Sequence, residues 1–124
     1  MKAILLAAGS GMRLGDLTKK TPKALVDING KTLLERQIVA LQKNNINDII
    51  VVTGPNNDKF DIKDITYIHD SNYLEHDVLG TMMSASEYMN SDVIISYTDI
   101  VFDEKIIHSI KNVNNDINIA VEMD

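Results

Sequence analysis

The sequence predicts an α/β fold of three layers, a mostly parallel sheet with helices on both faces. Three observations point to it: short apolar runs rich in β-branched residues, segments of helical periodicity between them, and a glycine turn directly after the first run. At 124 residues, 44% hydrophobic and 24% charged, the chain has the size and composition of one domain around a single core. No linker, internal repeat or low-complexity tract interrupts it.

The first run, Lys2 to Ala7, is apolar after its lysine and closes on Gly9 and Gly11, as a strand buried on both faces should. A polar loop, Ala8 to Thr21, follows. Pro22 fixes the backbone ahead of a short apolar segment, Ala24 to Ile28, which ends at the turn dipeptide Asn29-Gly30. From Thr32 to Asn44, the positions Leu34, Ile38 and Leu41 recur on one helical face, and Asn44-Asn45 suits the helix end. Ile46 to Thr53 predicts the next buried strand, bounded by Gly54-Pro55. Asp58 to Asp64 is acid-rich and reads as an exposed connector. Ile65 to Ile68 predicts a short strand, and Asp77 to Met89 a helix presenting Leu79, Met82, Met83 and Ser86 on one side. The methionines there, with Met89, read as core filler. Val93 to Tyr97 predicts a strand, Glu104 to Val113 a helix capped by Asp103, and Ile117 to Val121 a fifth strand.

The formal net charge is -6, and an acidic chain of this kind lacks the positive field that binding to a nucleic-acid backbone requires. The charge is unevenly spread. Up to Lys43 there are eight Lys and Arg against three acids; beyond it, four against fifteen. A basic first third joined to an acidic remainder is what a site for a small polyanion and its metal counter-ion would show, and a pair of solvated surfaces would show the same. Cysteine is absent, which excludes disulfides and thiolate metal sites and makes a reducing, cytoplasmic compartment the expectation. The apolar stretch Ala3 to Ala8 is shorter than a signal-peptide core, and no other stretch approaches a membrane span, so no membrane partner is expected.

In an open parallel sheet, ligands bind beyond the carboxyl ends of the strands, and here the first strand runs into Ala8-Gly9-Ser10-Gly11. Glycines let backbone N–H groups approach phosphate oxygens without a Cβ between them. Two phosphate motifs fail on position: the dinucleotide fingerprint needs glycine where Leu14 stands, and a P-loop ending in Gly30-Lys31-Thr32 needs glycine where Leu25 stands. The wider string LLAAGSGMRLGDLTKKTPKALVDINGKTLLERQI resembles the signature of the sugar-phosphate nucleotidylyltransferase superfamily, approximately L-A-A-G-x-G-x-R-L-x-x-x-T-x-x-x-P-K-x-L. Its fixed positions are all present, from Leu6, Ala7, Ala8, Gly9 and Gly11 through Arg13, Leu14 and Thr18 to Pro22, Lys23 and Leu25. Leu79-Gly80-Thr81 looks like that family's nucleobase-side segment, and Ser96-Tyr97-Thr98-Asp99 like its metal-binding strand end. The wording of Glu35-Arg36-Gln37-Ile38 and of Tyr97 to Phe102 is closest to the branch that transfers cytidylyl groups to phosphocholine or aminoalkylphosphonates.

The resemblance implies a Rossmann-like nucleotidyltransferase fold, of which this chain represents the amino-terminal, nucleotide-binding half. The implied reaction transfers a nucleoside monophosphate from an NTP, with CTP weakly favoured, to a phosphorylated small molecule such as a sugar phosphate, phosphocholine or phosphonate, releasing pyrophosphate. Arg13 would bind the β and γ phosphates and Lys23 the α-phosphate and incoming oxygen, as the catalytic pair. Leu6, Ala7, Ala8 and Gly9, with Ser10, Gly11 and Met12 in the loop and Gly80 and Thr81 on the base side, would bind the nucleotide. Asp99 would hold Mg²⁺. Tyr73 and Asp77 are further candidates for acceptor or base contacts. His69, His76 and His108 lack metal-ligand spacing and read as structural or surface residues. Members of the family are about twice as long, and their second half supplies acceptor contacts and a second aspartate. The resemblance therefore leaves an enzyme, of which this chain is a fragment or nucleotide-binding half or whose site a second copy or partner chain completes, and, against it, a noncatalytic nucleotide-binding or regulatory module or inactive fragment.

Overall fold

A computed structural model of the chain describes residues 1–9, 15–16, 20–121 and 123. Strand β1 (Lys2–Ala7) opens the chain, and after the loop a single 3₁₀ turn over Lys23–Leu25 leads into a small hairpin, β2 (Asp27–Ile28) and β3 (Lys31–Thr32). Asn29 and Gly30 both have positive φ, 55° and 88°, as the tight turn of a two-residue hairpin loop requires. Helix α1 (Leu33–Gln42) follows directly, capped by Thr32, whose hydroxyl accepts from Glu35 N–H while the Glu35 carboxylate accepts from Thr32 N–H. Asn45, at φ 60°, ends it in the left-handed conformation that asparagine tolerates. Then come β4 (Asp48–Thr53), β5 (Thr66–His69), α2 (Val78–Met83), β6 (Val93–Tyr97) and α3 (Glu104–Lys111).

The four long strands form one parallel sheet in the order β5-β4-β1-β6. Chain order runs outward from β1 through β4 to β5, then reverses to β6 on the other side, so the sheet has a Rossmann-like switch point between β1 and β6. Alternation along β1 assigns its two faces. Ala3, Leu5 and Ala7 pack with Leu34, Ile38 and Leu41 of α1 and Ile107 of α3, whereas Ile4 and Leu6 pack with Ala85, Met82 and Met89 on the α2 side. Helices thus cover both faces, as predicted. None of the described helices is long and apolar enough to cross a membrane.

Three sequence expectations are corrected. The helix expected over Asp77 to Met89 stops at Met83 and gives way to a 3₁₀ turn over Ser86–Tyr88. Ser84 turns its hydroxyl back to the Gly80 carbonyl, a bond that competes with continued helix. The face is rotated too: Leu79 and Met83 are exposed, while Thr81 and Ala85 are buried. Ile117 to Val121 does not form a strand. Its alternating Ile117, Ile119 and Val121 side chains stay exposed, because a period-two pattern supplies one apolar face but no neighbouring ladder to bond with. The Asp58 to Asp64 connector is only partly exposed, since Phe60 is buried and Ile62 packs against the core.

Candidate active site

The carboxyl ends of β1 and β6 diverge at the switch point, and a cavity of about 300 Å³ lies there. Its floor is the end of β1 and the two residues after it, Leu6, Ala7, Ala8 and Gly9. Lys23 and Ala24 enter from the 3₁₀ turn, Tyr97, Thr98 and Asp99 from the end of β6. The opposite wall is the segment between β5 and α2, with Tyr73, His76, Asp77, Val78 and Thr81.

Local structure explains the placement of each charged group. Pro22 is extended, at ψ 143°, and starts the 3₁₀ turn, in which Leu25 N–H bonds to the Pro22 carbonyl at 2.9 Å. Ala24 is buried under this turn, so Lys23 must project toward the cavity mouth. Its ammonium donates to Asp99 Oδ2 at 2.8 Å. Asp99 sits in a backbone segment clamped from two sides. Gln37 of α1, fully buried, donates its two amide protons to the carbonyls of Tyr97, at 2.8 Å, and Ile100, at 2.7 Å. Thr98 donates its hydroxyl to the Leu6 carbonyl at 3.0 Å, tying the end of β6 to β1.

The other wall is organised by Asp70, which is 3% exposed. Its Oδ1 accepts from Asn72 N–H at 3.0 Å, and its Oδ2 meets His76 Nδ1 at 2.9 Å and the Thr81 hydroxyl at 3.4 Å. Asp77 is spent on the helix, capping Gly80 N–H at 3.0 Å. A third fixed point is Gly54, where a Cβ would lie 2.4 Å from the Ala8 carbonyl oxygen, so β4 can pass the site's floor only because this residue is glycine.

Of the residues singled out by sequence, Leu6, Ala7, Ala8, Gly9, Lys23, Thr81 and Asp99 all line this one cavity. Gly80 does not line it; a Cβ there would come within 2.7 Å of the His76 ring, so the glycine leaves space for that ring. Ser10, Gly11, Met12 and Arg13 lie outside the described residues. Sequence reasoning missed Asp70, Gln37 and Gly54, and set His76 aside with His69 and His108. A signal existed for Gln37, a polar residue at helical spacing from Leu34 and Leu41 on the buried face. None marked Asp70 or His76, whose pairing depends on how a turn-rich segment folds back.

Residues 3–122 match the MobA-like NTP transferase domain family. A CTP:phosphoglutamine cytidylyltransferase of Campylobacter jejuni is 35% identical over 135 residues, an alignment taking in 98% of this chain and 53% of that protein. A choline-phosphate cytidylyltransferase of Haemophilus influenzae is 36% identical over 86% of this chain and 47% of its own length. The solved CTP:phosphocholine cytidylyltransferase of Streptococcus pneumoniae superposes with a TM-score of 0.76 at 33% identity, over 84% of this chain and 49% of that one. The chain therefore spans about half the length of these relatives. The switch-point cavity and the matched residues agree with one another, and the chain belongs to the MobA-like NTP transferase domain family.

Proposed function

We propose that this chain carries the nucleotide-binding half of a nucleotidylyltransferase, which moves a nucleoside monophosphate from an NTP to a phosphorylated small molecule and releases pyrophosphate. The observation that carries this reading is the meeting of Lys23 and Asp99 at 2.8 Å beside the backbone of Ala8 and Gly9, at the open end of β1. An oxygen of the acceptor attacks the α-phosphorus, and the bond from that phosphorus to the bridging oxygen of the departing pyrophosphate breaks in line. Both reactants are anions, so neutralising charge and aligning them are the main tasks. One Lys23 proton is engaged by Asp99, and the others are assigned to the α-phosphate and the incoming oxygen. Arg13 is assigned to the leaving pyrophosphate, whose charge its planar fork matches.

The cavity fits a divalent cation that arrives with its nucleotide. Among the described residues no cluster of three or more acidic or histidine side chains converges, so protein ligands alone do not build a cage. No described residue bonds to Asp99 Oδ1, and Mg²⁺ is commonly held by one or two carboxylates plus phosphates and water. Bound there, the ion would neutralise phosphate charge. Names of the relatives support CTP as the nucleotide, and phosphocholine, phosphoglutamine or aminoethylphosphonate as the class of acceptor. A partner or second copy supplying the acceptor side belongs to the same proposal.

The test is pyrophosphate release from each NTP in the presence of Mg²⁺, with sugar phosphates, phosphocholine and aminoethylphosphonate as acceptors. Release that requires an acceptor supports the reading. Nucleotide binding without turnover for every pair, at every protein concentration tested, would favour the noncatalytic module.

A further inference from the structure

We infer that His76, held in one tautomer by Asp70, selects a nucleobase that carries an amine rather than a carbonyl at pyrimidine C4 or purine C6, so that cytosine or adenine is accepted over uracil, thymine or guanine. This rests on the nucleotide reading above and adds to it the residue that reads the base.

The two ends of the cavity differ in chemistry. Lys23 and Asp99, at the end beside β6, suit phosphates and their cation. His76 precedes α2, whose Met82 packs with Ile4 and Leu6 on one face of the sheet, whereas Ala24, next to Lys23, packs with Ala3 and Leu5 on the other, so the two groups enter the cavity from opposite faces. Tyr73, Val78 and Leu6 line the same cavity and offer apolar surface of the kind that holds a flat ring. His76 is the ring nitrogen-bearing side chain of that wall, and it is fixed rather than free. Gly80 makes room for the imidazole, since any larger residue would strike its Cγ.

The tautomer follows from the partners. Asp70, ionised, can only accept hydrogen bonds, and it already accepts Asn72 N–H and the Thr81 hydroxyl. His76 Nδ1, 2.9 Å from Oδ2, must therefore be the protonated nitrogen. In the neutral ring Nε2 is then an acceptor, and no described residue bonds to it. A lone acceptor on the cavity wall pairs with an amine. Cytosine offers its N4 amine and adenine its N6 amine, whereas uracil, thymine and guanine offer a carbonyl at the corresponding position, which would face the lone pair of Nε2. A partly exposed acceptor of this kind discriminates by about 10- to 100-fold.

Asp70→Asn tests the tautomer without changing shape. The new amide keeps its oxygen toward Asn72 N–H and turns its NH₂ toward His76, which reverses the ring so that Nε2 donates. Calorimetric affinities for CTP, UTP, ATP and GTP with Mg²⁺, in mildly alkaline buffer, are compared in the wild type, Asp70→Asn and His76→Leu, each checked for folding by its melting curve. The expected result is CTP over UTP, and ATP over GTP, by about 10- to 100-fold in the wild type. The ranking of CTP against ATP identifies which base of the class is bound. The ratio should fall to within about threefold in His76→Leu and move toward UTP in Asp70→Asn. Equal affinity for CTP and UTP in the wild type, or a ratio unchanged by His76→Leu, overturns the inference while leaving nucleotide binding intact. Absence of binding by all four nucleotides overturns the nucleotide reading itself, and this inference with it. Should Asp70→Asn fail to fold, His76→Leu, whose side chain is one-third exposed, still decides.

Discussion

Lys23 and Asp99 neutralise each other at 2.8 Å, and both are substantially exposed, so their pairing contributes little to stability. On the proposed function its use is positional, keeping an ammonium and a carboxylate at the place where phosphate charge would concentrate. Lys23→Ala is accordingly expected to lower turnover by about 100-fold or more while nucleotide affinity changes by less than about tenfold. Equal losses in steady-state turnover and in calorimetric affinity would contradict the role. Gln37 acts one step further back, because its amide must face the Tyr97 and Ile100 carbonyls; turned over, its oxygen would oppose both. Gln37→Leu leaves those carbonyls without their donors and is expected to cost about 2–4 kcal/mol. It should also raise the Mg²⁺ concentration needed for half-maximal activity several-fold, with nucleotide affinity at saturating Mg²⁺ unchanged. A loss of stability with no change in the Mg²⁺ requirement would make Gln37 structural only. Gly54→Ala meets backbone rather than a flexible side chain, at 2.4 Å from the Ala8 oxygen, so about 1–3 kcal/mol of destabilisation should show in urea unfolding.

At the scale of elements, legibility followed the physics of each signal. β1 and β6 were found with their observed ends, because a continuous apolar run bounded by turn residues has few other solutions. α1 was found because its apolar spacing and its terminal asparagines agree. α2 was misjudged, since Leu79 and Met83 satisfy helical spacing as well as Met82 does, and only packing against Ile4 and Ile50 decides which face turns inward. In the site, the motif residues Lys23 and Asp99 were legible one by one, but their contact across a sequence separation of 76 was not. β5 makes a prediction of its own. The Tyr67 hydroxyl accepts from Ile62 N–H at 3.1 Å, and burial, with Asp61 adding to it, raises the phenol above its ordinary value of 10.0. The neutral phenol is thus favoured in the folded chain. Its contribution is complete below pH 10.0 and is lost as pH rises through the raised value, because the unfolded chain gives up its proton first. Urea midpoints measured across the alkaline range should fall more steeply for the wild type than for Tyr67→Phe. Parallel curves would show that Tyr67 does not control the alkaline limb.

Across the whole molecule, the reversal of strand order opens the crevice and the charge distribution suits it. The basic first third contributes Ala8, Gly9 and Lys23, and the acidic remainder contributes Asp99 and the wall that Asp70 organises. The cavity draws on β1, the 3₁₀ turn, the segment after β5 and the end of β6, elements that are distant in sequence and meet only at the switch point. A ligand touching all of them links them, and binding to the folded state alone stabilises it by mass action. At one hundred times its dissociation constant, a magnesium nucleotide should add about 2.7 kcal/mol. For a domain of this size that corresponds to a rise in melting temperature of roughly 10 °C. Chelating the metal should remove much of the rise, because Asp99 and the phosphates would then meet without a cation between them. Differential scanning calorimetry with each NTP, in Mg²⁺ and then in EDTA, measures both effects. A shift of equal size in the two conditions would remove Asp99 from the metal role, and no shift with any nucleotide in a cooperatively melting sample would remove the nucleotide from the cavity.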